Sequence, residues 1–295
     1  MGTKAGHRVR IANAKVRFLI NQGGPVAQLL HPDWIARDDP NQIGGLLLQT
    51  EELLSAQAPD VELVLTGAGL LEVRLEGQRG YRYWKTEAAL ERLRSECRDV
   101  ANHVLSRLPH TTRDYLFGID FVSGGNGVGQ FGVLARESNV HAIVWKSYPV
   151  GTEGNTLAGF GTAEGRLCPR VFDSSIGRAM FLVCHDAQAF NHRNKALVGR
   201  AYSQTLRSAA MSEMARQMET ERPTWVLNLI HFIDKPASMT TFHRSLKQIS
   251  TDHAWHPKAI GAFGYGGGVR ASLASLATEC QFPPRTSSCV LVIEV

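Results

Sequence analysis

Residues 86–122 read TEAALERLRSECRDVANHVLSRLPHTTRDYLFGIDFV, and the change of period inside that stretch sets the fold class. Over 86–108, Ala89, Leu90, Leu93, Val100, Val104 and Leu108 recur at the spacing of one helical face, behind Thr86 as an N-cap. Over 115–122 (YLFGIDFV) the apolar residues run together instead, as in a strand covered on both faces. A helix followed by a strand of this kind belongs to a sheet with helices packed against it.

The same alternation extends both ways along the chain. Upstream, 8–19 reads as a strand, and 41–57 as a helix with Ile43, Leu46, Leu47, Leu53 and Leu54 on one face. ELVLT (62–66) is a buried strand stopped by Gly67 and Gly69. Downstream, QFGVLAR (130–136) and HAIVWKSY (141–148), separated by Glu137, Ser138 and Asn139, have the spacing of a hairpin. Further strands are expected at 178–184, 224–233, 259–265 and 289–295, with helices at 196–220 and 239–252. No repeat or low-complexity linker divides the chain, which predicts one α/β domain over 1–295. Residues 149–170 are its longest irregular excursion and a candidate wall for a site.

Composition narrows the class of function. The chain has 295 residues, 43% hydrophobic and 20% charged, enough apolar material for a large core and too little charge for a disordered chain. With 32 Lys and Arg against 27 Asp and Glu, the net charge is +5, weak ground for a nucleic-acid partner. Arg74, Arg79, Arg82 and Lys85 interleave with Tyr81, Tyr83 and Trp84, a pattern that a solvated loop accounts for. Five cysteines without a CxxC pair suggest neither a disulfide framework nor a zinc ribbon and fit a reducing, cytoplasmic setting. The N-terminal residues lack a secretory pattern, and no apolar run is long enough for a membrane span.

Two glycine motifs are set aside. GVGQFG (127–132) satisfies GxGxxG, but the residues after it are strand-like, so a phosphate would meet no helix N-terminus; a glycine-rich turn is expected. GYGGG (264–268) lacks the lysine of a P-loop. His185, Asp186 and His192 do not have the spacing of a common zinc site, and no cofactor is expected.

Three places carry chemistry when taken together. Cys184 closes the apolar run 178–184 and is followed by His185 and Asp186; a thiol at a strand end, where the chain turns sharply, is presented to a cleft beside free backbone N–H groups. Lys146 interrupts the apolar strand 141–148, so it must either reach solvent or meet a buried partner. Glu72 lies just beyond the glycine turn that ends 62–66. Each has a bland alternative: a buried structural Cys, an edge-strand Lys, a solvated Glu. His103, His110, His231, His243, His253 and His256 read as scattered core or surface residues, although Asn228 and His231 stand at a strand end where they can face a cleft.

These pieces together resemble the carbon–nitrogen hydrolase, or nitrilase-like amidase, superfamily. Ile176, Gly177 and Arg178 leading into Phe181-Leu182-Val183-Cys184-His185-Asp186 resemble its cysteine segment. Val144-Trp145-Lys146-Ser147-Tyr148-Pro149 followed by Glu153 resembles its lysine segment, 38 residues earlier. The resemblance implies a four-layer αββα sandwich, a Cys184 nucleophile, Lys146 as transition-state stabiliser and a glutamate as general base. It further implies a small amide or nitrile substrate and a homo-oligomer; His185 and Asp186 beside the cysteine, and Asn228 near its strand end, are the candidate substrate contacts. One departure stands out: the family's Pro-Glu pair at the end of the second strand is missing from Leu65-Thr66-Gly67-Ala68. Glu72, if the turn carries it back, or Glu153 is the candidate base; if neither reaches the sulfur, the chain is an inactive relative serving as a binding or assembly module. His185 as the base of a Cys–His pair is disfavoured, because adjacent strand residues point to opposite faces.

Overall fold

The computed structural model describes residues 17–20, 25–30, 38–77, 81–108, 111–150, 153–191, 202–231, 236–263 and 289–293. Eight strands form one sheet and four a second: β1 (Arg17–Ile20), β2 (Val26–Leu30), β3 (Leu63–Thr66), β4 (Leu71–Arg74), β5 (Asp114–Ser123), β6 (Asn126–Arg136), β7 (Asn139–Trp145) and β12 (Cys289–Ile293) in the first, β8 (Val171–Ser174), β9 (Gly177–Val183), β10 (Trp225–Ile230) and β11 (Lys258–Phe263) in the second. The first runs β1-β12-β2-β3-β5-β6-β7, with β4 pairing the far half of β5; the second runs β11-β10-β9-β8. Helices α1 (Pro40–Gln57) and α3 (Glu87–Leu105) pack together, with α3 against β6 and β7. Helices α6 (Tyr202–Glu221) and α7 (Pro236–Asp252) cover the second sheet through β8 and β11. Short helical turns lie at α2 (Tyr81–Trp84), α4 (Glu153–Thr156) and α5 (Ala163–Arg166).

This is a mixed α/β sandwich with helices outside two facing sheets, as the alternation of periods implies. Side-chain alternation along β9 and β10 makes the layers visible. Phe181, Val183, Leu227 and Leu229 enter the core between the sheets, whereas Met180, Leu182 and Val226 meet Met211, Met214 and Met218 beneath α6. The helices begin where the sequence caps them: Asp39 accepts from the N–H groups of Asn41 and Gln42 ahead of α1, and Thr86 accepts from Ala89 N ahead of α3.

Several boundaries move. The 130–136/141–148 hairpin forms as expected, turning at Glu137 and Ser138, both left-handed at φ 50° and 60°. The glycine turn lies earlier than expected. It falls at Gly124 and Gly125, and residues 127–132 sit inside β6 as one side of a second hairpin with β5. Strands β2, β4 and β8 and the helical turns inside 149–170 are additional to the expected elements. The start of the expected strand 8–19, residues 196–201 of the expected helix, GYGGG (264–268), His110 and His192 fall outside the described residues.

The two sheets pack closely at Gly132. A Cβ there would meet Leu229 Cδ1 at 2.9 Å, Val144 Cγ2 at 3.0 Å and Val183 Cγ2 at 3.4 Å, so a side chain would make Leu229 and Val144 give way where β6 packs against β9 and β10. Residues that follow Val183 and Leu229 are thereby brought over the inner face of the first sheet.

Candidate active site

Register on the first sheet lines up a polar row. Glu72 pairs with Asp120, Asp120 with Gln130, and Lys146 N bonds to Gln130 O, so four polar side chains from β4, β5, β6 and the end of β7 share the inner face. Facing this row is the end of β9. Cys184 leaves the strand with φ 52°, a left-handed conformation that is strained for a cysteine, and opens a 3-10 turn over Cys184–Phe190. The residue is 3% exposed.

The sharp turn overrides strand alternation. Once φ reverses at Cys184, His185 no longer points away: its Nδ1 lies 3.0 Å from Sγ, with the ring against Phe242. A second imidazole arrives from β10. His231 follows Ile230, its Nε2 lies 2.6 Å from Asp120 Oδ2, and its ring is close enough to Cys184 for each to shift the other's ionisation. Asn228 Nδ2 donates to the Cys184 carbonyl at 3.1 Å.

Lys146 is buried and holds Glu153 with both carboxylate oxygens, at 2.8 and 2.7 Å. Glu153 also accepts from Val150 N and, at 3.3 Å, from Gln130 Nε2. Burial alone opposes the charge on Lys146, but the Cys184 sulfur and the Glu153 carboxylate outweigh it and raise its pKa. Burial likewise pushes the Glu153 carboxyl up, and Lys146 more than reverses this, leaving it lowered. For Cys184, burial opposes ionisation, yet the Lys146 ammonium, the His231 charge and hydrogen bonds from both histidines bring the thiol well below its ordinary range. His231 is the counterpart: burial lowers it, Asp120 and the sulfur raise it further, and it stands at about 10.

A buried scaffold fixes these parts. Asp186, which the sequence suggests as a substrate contact, is wholly buried and accepts from Ser147 N, Tyr148 N, Val183 N and Arg170 Nη1 at 2.8 to 3.2 Å. Those donors occupy both oxygens, so Asp186 ties the end of β7 to the end of β9 rather than presenting an acceptor to a ligand. Burial pushes its carboxyl up; the Arg170 charge and the three backbone N–H groups offset part of that. Arg170 also donates to Trp145 O and Ser147 Oγ at 2.8 Å, on either side of Lys146.

Glu72 stands in the polar row, but Asp120 lies between it and the rest; its side chain meets Arg74 at 3.0 Å. The Thr66-Gly67-Ala68 segment, where a carboxylate is expected by resemblance, is occupied by backbone. Ala68 N donates to Ile230 O, and a Cβ on Gly118 would lie 2.5 Å from Ala68 Cα. Sequence reasoning undervalued His231 and missed Asp120, although Asp120 is the one charge inside YLFGIDFV and this was a usable signal. Among the described residues, no group of three His, Cys, Asp or Glu side chains is arranged to hold a metal ion. Nor, among them, is any helix long and apolar enough to cross a membrane.

No family model and no curated protein matches this chain. Among solved structures it is similar to an amidase from Nesterenkonia sp., at 18% identity and a TM-score of 0.48, over 85% of this chain and 81% of that one. A cysteine-to-alanine variant of Nesterenkonia AN1 amidase, described as belonging to the nitrilase superfamily, is similar at 18% identity and a TM-score of 0.47, over 85% and 81%. A glutamate-to-glutamine variant of that amidase, with the acetamide moiety of fluoroacetamide added covalently at its active-site cysteine, is similar at 17% identity and a TM-score of 0.47, over the same shares.

Proposed function

We propose that the protein is a thiol-dependent hydrolase of a small non-peptide amide, acting through an acyl-thioester on Cys184. The observation that carries this reading is the sulfur itself: a left-handed residue at a strand end, with Lys146 and two imidazoles making it easier to ionise than a free thiol despite its burial. Lys146 is the group suited to the negative oxygen that develops on the attacked carbon, and Glu153 holds it in place. A sulfur this deeply set is reached by a slender group and not by folded polypeptide.

Three buried acceptors around the site, Asp120 Oδ1, Gln130 Oε1 and Asn228 Oδ1, have no hydrogen-bond partner among the described residues. An unmet buried acceptor is costly, and the N–H donors of an amide would satisfy some of them, which a nitrile cannot do. This favours the amide between the two substrates that the sequence leaves open. The reading as an inactive binding module draws on one observation: among the described residues no carboxylate is hydrogen-bonded to Sγ.

Replacing Cys184 with Ala or Ser separates the two. Turnover of a panel of small amides, and alkylation by iodoacetamide mapped to Cys184 by mass spectrometry, are both expected to disappear. Turnover that survives Cys184→Ala ends the hydrolase proposal. Alkylation of Cys184 without turnover of any amide favours the binding module.

A further inference from the structure

We propose that His231, oriented by Asp120, is the group that exchanges protons with Cys184 and with the leaving amine, in place of a glutamate. This rests on the hydrolase reading above and deepens it. The carboxylates around the site are already engaged. Glu153 is committed to Lys146, Val150 N and Gln130; Asp186 is saturated by four donors; Glu72 bonds Arg74 and has Asp120 between it and the rest of the row. None of them is hydrogen-bonded to Sγ among the described residues.

The imidazoles remain. His185 touches Sγ, but among the described residues no carboxylate hydrogen-bonds to it. His231 stands at the end of β10, the strand whose Asn228 binds the Cys184 carbonyl, interacts electrostatically with the sulfur, and has a carboxylate on one ring nitrogen at 2.6 Å, as a proton carrier requires. With Nε2 committed to Asp120, the ring is held in one orientation, and its other nitrogen is the one left to exchange a proton. The arrangement is built in: Ala68 N binds Ile230 O and Asn228 binds Cys184 O, locking the end of β10 to both sheets.

The reaction then balances. Cys184 attacks as thiolate with the proton already on His231, and the C–S bond forms as the carbonyl oxygen takes up the negative charge near Lys146. That intermediate collapses by breaking the C–N bond, His231 giving its proton to the departing nitrogen, which leaves as neutral amine. Neutral His231 next takes a proton from water, whose oxygen attacks the thioester. The C–S bond breaks, restoring the thiolate beside protonated His231 and releasing the acid. Asp120 touches no reacting atom and is a positioning residue.

The test is the pH profile of Cys184 alkylation by iodoacetamide, with the site confirmed by mass spectrometry, in the wild-type protein, His231→Gln and Asp120→Asn. The charged groups facing the pair, Lys146, Glu153, His185, Asp186 and Arg170, are unchanged in both variants. The wild-type midpoint is expected well below that of a free thiol. In His231→Gln it should rise by at least one pH unit, with amide turnover at least 100-fold lower; in Asp120→Asn the shift should be smaller but in the same direction. Should His231→Gln fail to fold, the near-isosteric Asp120→Asn decides alone. Variants that keep the wild-type midpoint overturn the assignment of His231 while leaving Cys184 as nucleophile. A wild-type Cys184 that resists alkylation at every pH overturns the hydrolase reading itself, and this inference with it.

Discussion

At the scale of single residues, one sulfur gathers cations that burial alone would have kept neutral. Because Cys184 is depressed and His231 raised, the two titrate as a pair, charged together between the depressed thiol value and about pH 10. The signs fix distinct limits. Acid protonates the thiolate, so both alkylation and turnover should fall together on the acid side. Above about pH 10, His231 loses its proton while the sulfur stays ionised, so turnover, which needs the imidazolium, should fall while alkylation persists. Parallel curves on the alkaline side would refute a proton-donating His231. Stability follows the same signs: the His231 contribution is complete below its unfolded value near 6.5 and is lost as pH rises through about 10. On the proposed mechanism Lys146→Met removes the cation that faces the developing oxyanion and should lower kcat by about 100- to 1000-fold. It should also raise the pH midpoint of Cys184 alkylation, since Lys146 is the foremost charge favouring the thiolate.

At the scale of elements, the site depends on two strand ends being tied together by groups that never meet a substrate. Asp186 and Arg170 are both buried and mutually bonded at 2.8 Å, and between them they hold the backbone on both sides of Lys146 and just before Cys184. Asp186→Asn leaves the guanidinium buried without its counter-charge, a loss of about 3–5 kcal/mol, or a melting midpoint lower by roughly 10 °C. Differential scanning calorimetry checks this; an unchanged midpoint would deny the tie its structural role. This scale also shows what a sequence discloses. Long periodic segments such as 86–108 and the hairpin 130–148 announce themselves, and so do Cys184 and Lys146, each breaking the character of its own strand. Strands LEVR (71–74) and VFDS (171–174) have four residues each, too few to establish a period, and they form because β5 and β9 offer open edges. Asp186 looked functional beside Cys184, but its neighbours in space are buried donors from β7 and from Arg170, which adjacency in sequence does not reveal.

At the scale of the whole molecule, catalytic geometry becomes a matter of how closely two sheets approach. Asp120 and His231 are 111 residues apart and lie on opposite sheets, so no local pattern links them and their contact exists only because the sandwich closes. Gly132 lies at that closure, since β6 meets Leu229 and Val183 there; His231 is two residues beyond the first, and Cys184 immediately follows the second. Gly132→Val would place two methyl groups where no atom fits, driving β9 and β10 away from the polar row. Overpacking of this kind costs about 1–3 kcal/mol, whereas misplacing reacting groups by about 1 Å costs on the order of 100-fold in rate. Activity should therefore fall much further than stability: a fold that melts only a few degrees lower, with kcat down about 100-fold and KM less affected. Gly132→Ala should lie between this variant and wild type, because its single methyl asks neighbours at 2.9 to 3.4 Å to give by only a few tenths of an ångström. Melting curves and steady-state kinetics on the pair provide the measurement. Wild-type kcat in Gly132→Val would mean that the distance between the sheets at this point does not control the meeting of Asp120, His231 and Cys184.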